Sequence, residues 1–557
     1  MTTTALSLMN LAGIDKIAPG SLYPHQADGV AFLLSKRRVL LADDMGLGKT
    51  RQAIVAMELG APEGTILVVC PASLKLNWTR EIRLVDPAAA IEVIGVDKEP
   101  VDQPRWIIVN YDILSKHAER LHAVDWAGVI LDEAHFIRNA SQRTNQCLKL
   151  FGVQADAPAN DMGPDFVFLL TGTPMPNRPK DLFNLLRCVR HPAARSFLSF
   201  AKRYCDAYRN DYGWVTNGAS NLDELNLLMK EVSIRRRKED VLNLPPKIRS
   251  WVPVDISTSK AAFNAVEGFL AWYSATDPSQ PNDTEFLARL TKVRVALHKA
   301  KQSAVEERIR DVIESGEKVV LFTCFSDGIE RHKVKFGDAA VTNTGSDRPE
   351  KRMSAVDRFQ GDASVKVALC NIVAGGVGIT LTAGTHVIFQ DLDWVPANHA
   401  QAEDRCYRMG QTKRVTVEYF VAAGTLDSYI SQLLEQKIKL IAAVEAEDVP
   451  ETSLIVEIQN GLRQLAPALM EEARAARATG DVALRIEKLA AARPRAAAAS
   501  SPLAETGQWE FTSSRDPSAR YLVTFGRAGH LECSCQGFVH RGNCKHVLEV
   551  RSKIFED

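Results

Sequence analysis

The chain has 557 residues, 46% of them apolar and 24% charged, which are globular proportions over a length that argues for several domains. Lysine plus arginine and aspartate plus glutamate number 68 each, so no global field draws the protein onto nucleic acid or membrane, and any polyanion must be met by local patches. No run approaches the ~18 apolar residues of a membrane span, and the opening MTTTALSLMNLAGIDK lacks the basic segment of a secretory signal, so neither a membrane-embedded nor a secreted protein is expected.

In chain order, short apolar runs come first: RVLLA (38–42), TILVVC (65–70), WIIVN (106–110), GVILDE (128–133) and FVFLLTGT (166–173). Runs so short and so continuously apolar predict strands buried on both faces, and the helical stretches between them predict a parallel sheet. The first run feeds LLADDMGLGKTRQ (40–52). Its MGLGKT portion leaves a predicted strand and opens a predicted helix. Gly46, Gly48 and the first helical amides can therefore cradle phosphate, with Lys49 meeting the β and γ oxygens and Thr50 a magnesium ion. Asp43, however, stands where the pattern G-x-x-x-x-G-K-[ST] asks for its first glycine. The fourth run delivers Asp132 and Glu133 to a strand's C-terminal end, the edge where ligands sit in open α/β sheets. Adjacent carboxylates there can divide labour, Asp132 holding magnesium while Glu133 orients and deprotonates an attacking water. His135 is a candidate relay of nucleotide state to a second lobe, and TGTP (171–174) offers hydroxyls at a turn.

Residues 180–312 read as mostly helical, with RRRKED and LPPK near the middle. The strand rhythm then restarts with KVVLFT (318–323), VKVALC (365–370), HVIFQD (386–391) and VTVEYFV (415–421), predicting a second α/β lobe. Within it AGGVGIT (374–380) lets backbone approach a phosphate or the facing lobe through Gly378 and Thr380. QAEDRCYRMGQ (401–411) sets Arg405 and Arg408 one helical turn apart on one face, and guanidinium groups reaching across a cleft can stabilise charge on a γ-phosphate. The helical pattern resumes at 425, turns Ala-rich, and gives way at 492–507 to a stretch with linker composition. The expected plan is a first lobe at 1–250 that includes the start of a helical protrusion, a second at 251–455, an Ala-rich helical segment and linker at 456–507, and a small module at 508–557.

The phosphate loop and DEAH resemble the Walker A and B elements of superfamily-two helicases. LYPHQADGVAFLL (22–34) is similar to their adenine-recognition segment, VVCPASLKLNW (68–78) to motif Ia, LLTGTPMPN (169–177) to motif III, and residues 373–411 to motifs V and VI joined. DDMGLGKT together with QAEDRCYRMGQ resembles the Swi/Snf-type DNA-translocating ATPases, close to their annealing-helicase branch, over most of residues 20–440. The resemblance implies two RecA-like lobes that bind ATP and magnesium and grip double-stranded or branched DNA in turn. It implies that Gln26 reads the adenine edge with Tyr23 as a stacking partner, and that Asp43 belongs to the nucleotide loop of this family, where an acidic residue is usual. Arg405 and Arg408 are the implied arginine fingers. Pro71, Ala72 and Ser73, with charge from Lys75, are the implied contacts to DNA phosphates, and the segment around Arg235–Lys238 braces the lobes in the family. Trp78 and Trp394 fall where the family packs its core.

Seven of the ten cysteines, Cys70, Cys147, Cys188, Cys205, Cys324, Cys370 and Cys406, are scattered in apolar or helical contexts and read as buried thiols. Cys533, Cys535 and Cys544 instead crowd with His546 in LECSCQGFVHRGNCKHVLEV (531–550). Residues two apart on a strand face the same way, so Cys533 and Cys535 can chelate together, with Cys544 and His546 coming from the start of a following helix. Three thiolates and an imidazole suit a structural zinc ion, with His540 and His530 as competing ligands. The pattern C-x-C-x8-C-x-H resembles the SWIM zinc finger, which binds DNA or a protein partner. Two other functions compete: a strand-separating DNA or RNA helicase, and a non-hydrolysing DNA- or protein-binding scaffold. The expected location is the cytoplasm, on DNA, in a bacterium or phage, and the nucleus in a eukaryote.

Overall fold

A computed structural model describes residues 22–434, apart from 154–162, 173–178, 211–212, 217, 276–282, 373–378, 394 and scattered positions after 423, and adds three strands between 508 and 533. The first sheet takes β1 (Arg38–Leu41), β2 (Thr65–Cys70), β3 (Ile91–Val93), β4 (Trp106–Asn110), β5 (Trp126–Asp132) and β6 (Phe166–Leu170). After a hairpin of β7 (Tyr208–Asn210) and β8 (Gly213–Val215), the two residues of β9 (Ser233–Ile234) complete it. The strand order is β3-β4-β2-β5-β6-β1-β9, and every pairing is parallel. Leu67, Val69, Val129, Leu131 and Leu169 pack into the core on one face, and Ile66, Val68, Ile130 and Phe168 into the core on the other. Helices cover both faces, which is why these strands carry unbroken apolar sequence. This order sets the C-terminal ends of β5, β6 and β1 side by side, so Asp132, Thr171 and the loop after Leu41 share one edge.

The second sheet comprises β10 (Lys247–Val254), β11 (Val319–Thr323), β12 (Ala340–Asn343), β13 (Val367–Asn371), β14 (His386–Phe389) and β15 (Val415–Ala422), in the all-parallel order β10-β15-β14-β11-β13-β12. Phe322, Phe389 and Tyr419 stand opposite one another on three neighbouring strands. Their rings stack at 5.3 and 4.7 Å, an aromatic ladder through the core. Two α/β lobes with parallel sheets, each of the RecA-like kind, are thus present as expected.

Within the two large sheets, the four strands without a signature in the sequence, β3, β9, β10 and β12, are the four edges. Edge strands are short or polar because one side faces solvent or a covering element, and β10 accordingly keeps most of its residues partly or fully exposed.

Both lobes lie in one compact unit, residues 1–475, and a second unit takes residues 476–557. In the second unit β16 (Gln508–Thr512), β17 (Arg520–Phe525) and β18 (Leu531–Cys533) form an antiparallel sheet. Among the described residues no helix is long and apolar enough to cross a membrane. Cys70, Cys147, Cys188, Cys205, Cys370 and Cys406 are buried thiols, whereas Cys324 is half-buried.

Candidate nucleotide site

The chain leaves β1, passes through residues 42–48 and enters helix Lys49–Gly60. Gly48 caps this helix without a side chain, which leaves the leading amides to an anion. Gly46 and Gly48 have φ of +86° and +76°. A Cβ on Gly46 would stand 2.8 Å from Cβ of Arg408, and one on Gly48 2.2 Å from Nε2 of Gln26. Glycine is needed at both positions for the left-handed backbone and for the close approach of neighbouring elements. Lys49 Nζ donates to the carbonyls of Asp43 at 2.6 Å and Asp44 at 3.3 Å. Burial pulls the ammonium pKa down, and Glu133, Asp43, Asp132 and Asp44 pull it back up.

The Asp43 carboxylate has other hydrogen-bond partners than that lysine. It is fully buried, and Arg236 grips it with Nε at 2.9 Å and Nη2 at 2.5 Å, while Gln52 Nε2 adds a bond of 3.2 Å. The same arginine donates to the carbonyl of His25 and, at 2.8 Å, to Gln52 Oε1. Arg236 arrives by way of β9: Ala42 N donates to Ile234 O and Asp44 N to Arg236 O, so the basic run continues the strand alongside the phosphate loop. Lys238, two residues on, donates its amide to Asp44 Oδ2 at 3.2 Å and places Nζ 2.6 Å from Asp404 Oδ1 in the second lobe. Of the four cations, Arg236 and Lys238 face the loop and the facing lobe, whereas Arg235 and Arg237 are exposed. The period of two along an extended chain produces this division. The sequence showed a charge run but gave no strand to set its phase.

Gln26, 3% exposed, receives Tyr23 N at 3.0 Å on its amide oxygen and donates to Leu47 O at 3.2 Å. Its amide therefore ties helix Pro24–Lys36 to the phosphate loop, and Tyr23 remains 48% exposed beside it.

At the end of β5, Asp132 is oriented from three sides. Trp78 Nε1 donates to Oδ2 at 2.8 Å, Glu133 N to Oδ1 at 3.0 Å, and Tyr111 Oη to the main-chain carbonyl at 2.8 Å. Trp78 is fully buried, as a core residue should be, but its indole also fixes this carboxylate. Glu133 adopts φ 51° and ψ 54°, a left-handed conformation that costs a non-glycine residue on the order of 1–3 kcal/mol and clusters at functional sites. Burial raises the pKa of both carboxyls. Glu133 adds to the effect on Asp132, while Lys49 and Arg405 oppose it at Glu133. Oε2 of Glu133 is buried and accepts no hydrogen bond among the described residues. His135 Nδ1 lies 3.3 Å from that oxygen and 3.2 Å from Thr171 Oγ1. Burial pushes the His135 pKa down to about 4, helped by Arg138 and Lys49, so its ring is neutral at pH 7. These contacts join the end of β5 to the end of β6 within the first lobe.

The second lobe brings Arg405 and Arg408, though not on a helical face. Helix Pro396–Glu403 stops before them, with Arg405 N turning back to Ala402 O and Tyr407 N to Glu403 O. Glu403 fixes that stop. It is 1% exposed and accepts Lys247 at 2.8 Å, both arms of Arg249 at 2.7 Å and Tyr419 Oη at 2.6 Å, which pins the helix end to the second sheet. Burial and the neighbouring Arg408 pull the Arg405 pKa down to about 10, against Glu133 and Asp404. Arg408 Nη1 donates to Ile379 O at 3.3 Å. Thr380 is half-buried, and Gly378 and Trp394 lie outside the described residues. Lys49, Asp132, Glu133 and Arg405, taken from two lobes, therefore share one electrostatic neighbourhood, with oxygen donors suited to a hard cation beside a cradle suited to phosphate.

Two other expectations diverge. Lys75 is 6% exposed and donates to Ile94 O at 2.9 Å, so it serves packing and is no surface charge for DNA. Helix Lys75–Val85 lies against the sheet, and this turns the ammonium inward. Ala72, at the head of the preceding short turn, is exposed beside half-buried Pro71 and Ser73. Of the expected zinc ligands, Cys533 ends β18, and Cys535, Cys544 and His546 lie outside the described residues. Among the described residues no group of three or more His, Cys, Asp or Glu side chains is arranged to hold a metal ion.

Residues 25–297 match the SNF2-related domain, and residues 301–410 match the helicase conserved C-terminal domain. The DNA annealing helicase and endonuclease ZRANB3 of Bos taurus is 33% identical over 440 residues, covering 75% of this chain and 40% of its own length. The SWI/SNF-related matrix-associated actin-dependent regulator of chromatin subfamily A-like protein 1 of Xenopus laevis is 34% identical over 447 residues, covering 78% and 45%. The chain thus spans less than half the length of these two relatives. Among solved structures, the Sulfolobus solfataricus SWI2/SNF2 ATPase core in complex with double-stranded DNA is similar at 24% identity and a TM-score of 0.37, over 81% of this chain and 96% of that one. The chain belongs to the SNF2 helicase superfamily, and its two lobes are those of an ATP-hydrolysing enzyme of the DNA-dependent class.

Proposed function

We propose that this protein is a double-stranded DNA translocase that uses ATP hydrolysis to open and close its two lobes and so remodels DNA structures or protein–DNA complexes. The observation that carries the reading is that Arg405 of the second lobe and Lys49 of the first both act on the charge of Glu133, while the Lys238–Asp404 pair stands at 2.6 Å. In this reading Lys49 meets the β and γ oxygens of ATP, and Glu133 takes the proton of the attacking water. Arg405 and Arg408 stabilise charge on the transferring phosphoryl group, a contribution of about 10³–10⁵ in rate for arginine fingers. Thr50 and Asp132 would hold magnesium, which when bound neutralises phosphate charge. Gln26 and Tyr23 flank the adenine end, and Asp43 positions the loop without touching the nucleotide. The Pro71–Ser73 turn, with Ala72 exposed, is the proposed contact to the DNA backbone, and Gly378 with Thr380 is the proposed contact of the second lobe.

Phosphate release measured with and without blunt duplex DNA tests the proposal. Duplex should stimulate hydrolysis at least tenfold and the effect should weaken steeply with salt, because the contacts are to phosphates. Hydrolysis indifferent to duplex would sink the translocase reading.

For the terminal unit we propose a SWIM-type zinc module in which Cys533, Cys535, Cys544 and His546 bind the ion and the β16–β18 sheet carries the first ligand; its partner would be DNA or a protein. Elemental analysis should find about one zinc per chain, and none in a Cys533→Ala, Cys535→Ala variant. Stoichiometric zinc in that variant would rule these ligands out.

A further inference from the structure

Between β6 and β9 the first lobe makes an excursion through helices Leu182–Cys188 and Phe197–Tyr204, the β7–β8 hairpin and helix Leu222–Val232. The hairpin belongs to neither large sheet, and it exposes two aromatic side chains, Tyr208 at 58% and Trp214 at 44%. Its register places Arg209 directly opposite Trp214, so the two side chains leave the same face. Lys202, from helix Phe197–Tyr204, sets Nζ 5.0 Å from the centroid of the same indole. Lys202 and Arg209 are both exposed and neither has an ion pair among the described residues, whereas the adjacent Arg203 is taken up by Glu224.

An exposed indole with the Lys202 ammonium on its ring and Arg209 directly across the strand offers more than the polar and cationic contacts that the backbone of duplex DNA asks for. It suits an unpaired nucleotide, whose base stacks on an aromatic face while its flanking phosphates meet the cations. We propose that the β7–β8 hairpin is a platform for single-stranded DNA, on which Trp214 stacks an unpaired base and Lys202 and Arg209 hold the adjoining phosphates. The proposal rests on the reading of this chain as a DNA translocase and sharpens it, since a site for unpaired bases on a duplex-tracking enzyme selects forks, bubbles and junctions over uninterrupted duplex.

The test compares the full-length protein with Trp214→Ala, Trp214→Phe and Arg209→Gln in fluorescence anisotropy at one fixed salt concentration. The probes are an oligo(dT) strand, a fork with oligo(dT) arms and a blunt duplex. Loss of one stacking contact should weaken oligo(dT) and fork binding by about five- to hundredfold in Trp214→Ala. Trp214→Phe should stay within about threefold of the unmodified protein, because a phenyl ring still stacks. Blunt-duplex affinity and duplex-stimulated phosphate release should be unchanged in all three variants. Equal fork affinity in Trp214→Ala and the unmodified protein overturns the platform, and so does an equal loss on the blunt duplex. If Trp214→Ala fails to fold, Arg209→Gln decides the matter, with a severalfold loss on oligo(dT) and none on duplex as the supporting result. If duplex DNA leaves hydrolysis by the unmodified protein unchanged, the translocase reading falls, while the oligo(dT) affinities still judge the platform.

Discussion

Glu133→Gln is expected to lower ATP turnover by about 10²–10⁴, the usual contribution of a positioned general base, while nucleotide affinity stays within a few-fold of the unmodified protein. The substitution keeps volume and one carbonyl oxygen but removes the ability to take a proton. The environment suits that role. Oε2 is buried and accepts no hydrogen bond among the described residues, with the neutral ring of His135 at 3.3 Å. Burial holds the carboxyl above its ordinary pKa, against the pull of Lys49 and Arg405, which moves the base towards working pH. The sign of the pH effect follows. The base acts deprotonated, so the rate should begin to fall above the ordinary carboxylate range as pH drops, and Glu133→Gln should remove the Glu133 share of that fall while the buried Asp132 keeps its own. Phosphate release from pH 5 to 8, with binding of a fluorescent nucleotide analogue measured in parallel, separates the outcomes. Turnover equal to the unmodified protein removes Glu133 from the chemistry, and lost binding with preserved turnover at saturation would make it a nucleotide ligand instead.

The interior of both sheets was legible because burial on both faces forces continuous apolar sequence. TILVVC and VKVALC predict strands for that reason. The edges were not, because Ser233–Ile234 and Lys247–Val254 obey their neighbours more than any periodicity of their own. The site divides along the same line. Lys49, Thr50, Asp132 and Glu133 sit at the ends of interior strands, and sequence placed them at one edge. Arg405 and Arg408 were found by motif but given the wrong local structure, since the end of helix Pro396–Glu403 is set by Lys247 and Arg249, over 150 residues earlier in the chain. Trp78 shows a different limit: apolar context announces a core tryptophan, yet nothing local reveals that its one polar atom meets Asp132. The pairing of Asp43 with Arg236 spans 193 positions and depends on β9, an edge strand, so a single sequence could offer the two charges but not their contact.

That pairing yields the second large effect. Asp43→Gly restores the general phosphate-loop pattern and is nevertheless expected to destabilise the protein by about 3–5 kcal/mol, the cost of breaking a buried ion pair by removing one partner. Arg236 would keep a guanidinium enclosed by Gln52 and the His25 carbonyl, with neither carboxylate oxygen to accept its Nε and Nη2. Added glycine freedom beside Gly46 and Gly48 makes ordering the loop costlier still. Denaturant unfolding of the full chain should show the loss, and nucleotide binding should weaken with it, because Lys49 takes its position from the Asp43 and Asp44 carbonyls. A compensating pair, Asp43→Asn with Arg236→Gln, removes both charges and keeps hydrogen-bonding groups at both ends, and should recover most of the stability lost by Asp43→Asn alone. Full stability of Asp43→Asn together with weakened ATP binding would place the carboxylate on the nucleotide and refute its role as a strut. Stability lost in Asp43→Asn and regained in the pair would mean that the departure from the glycine pattern is what lets Arg236 and Lys238 tie the phosphate loop to the facing lobe.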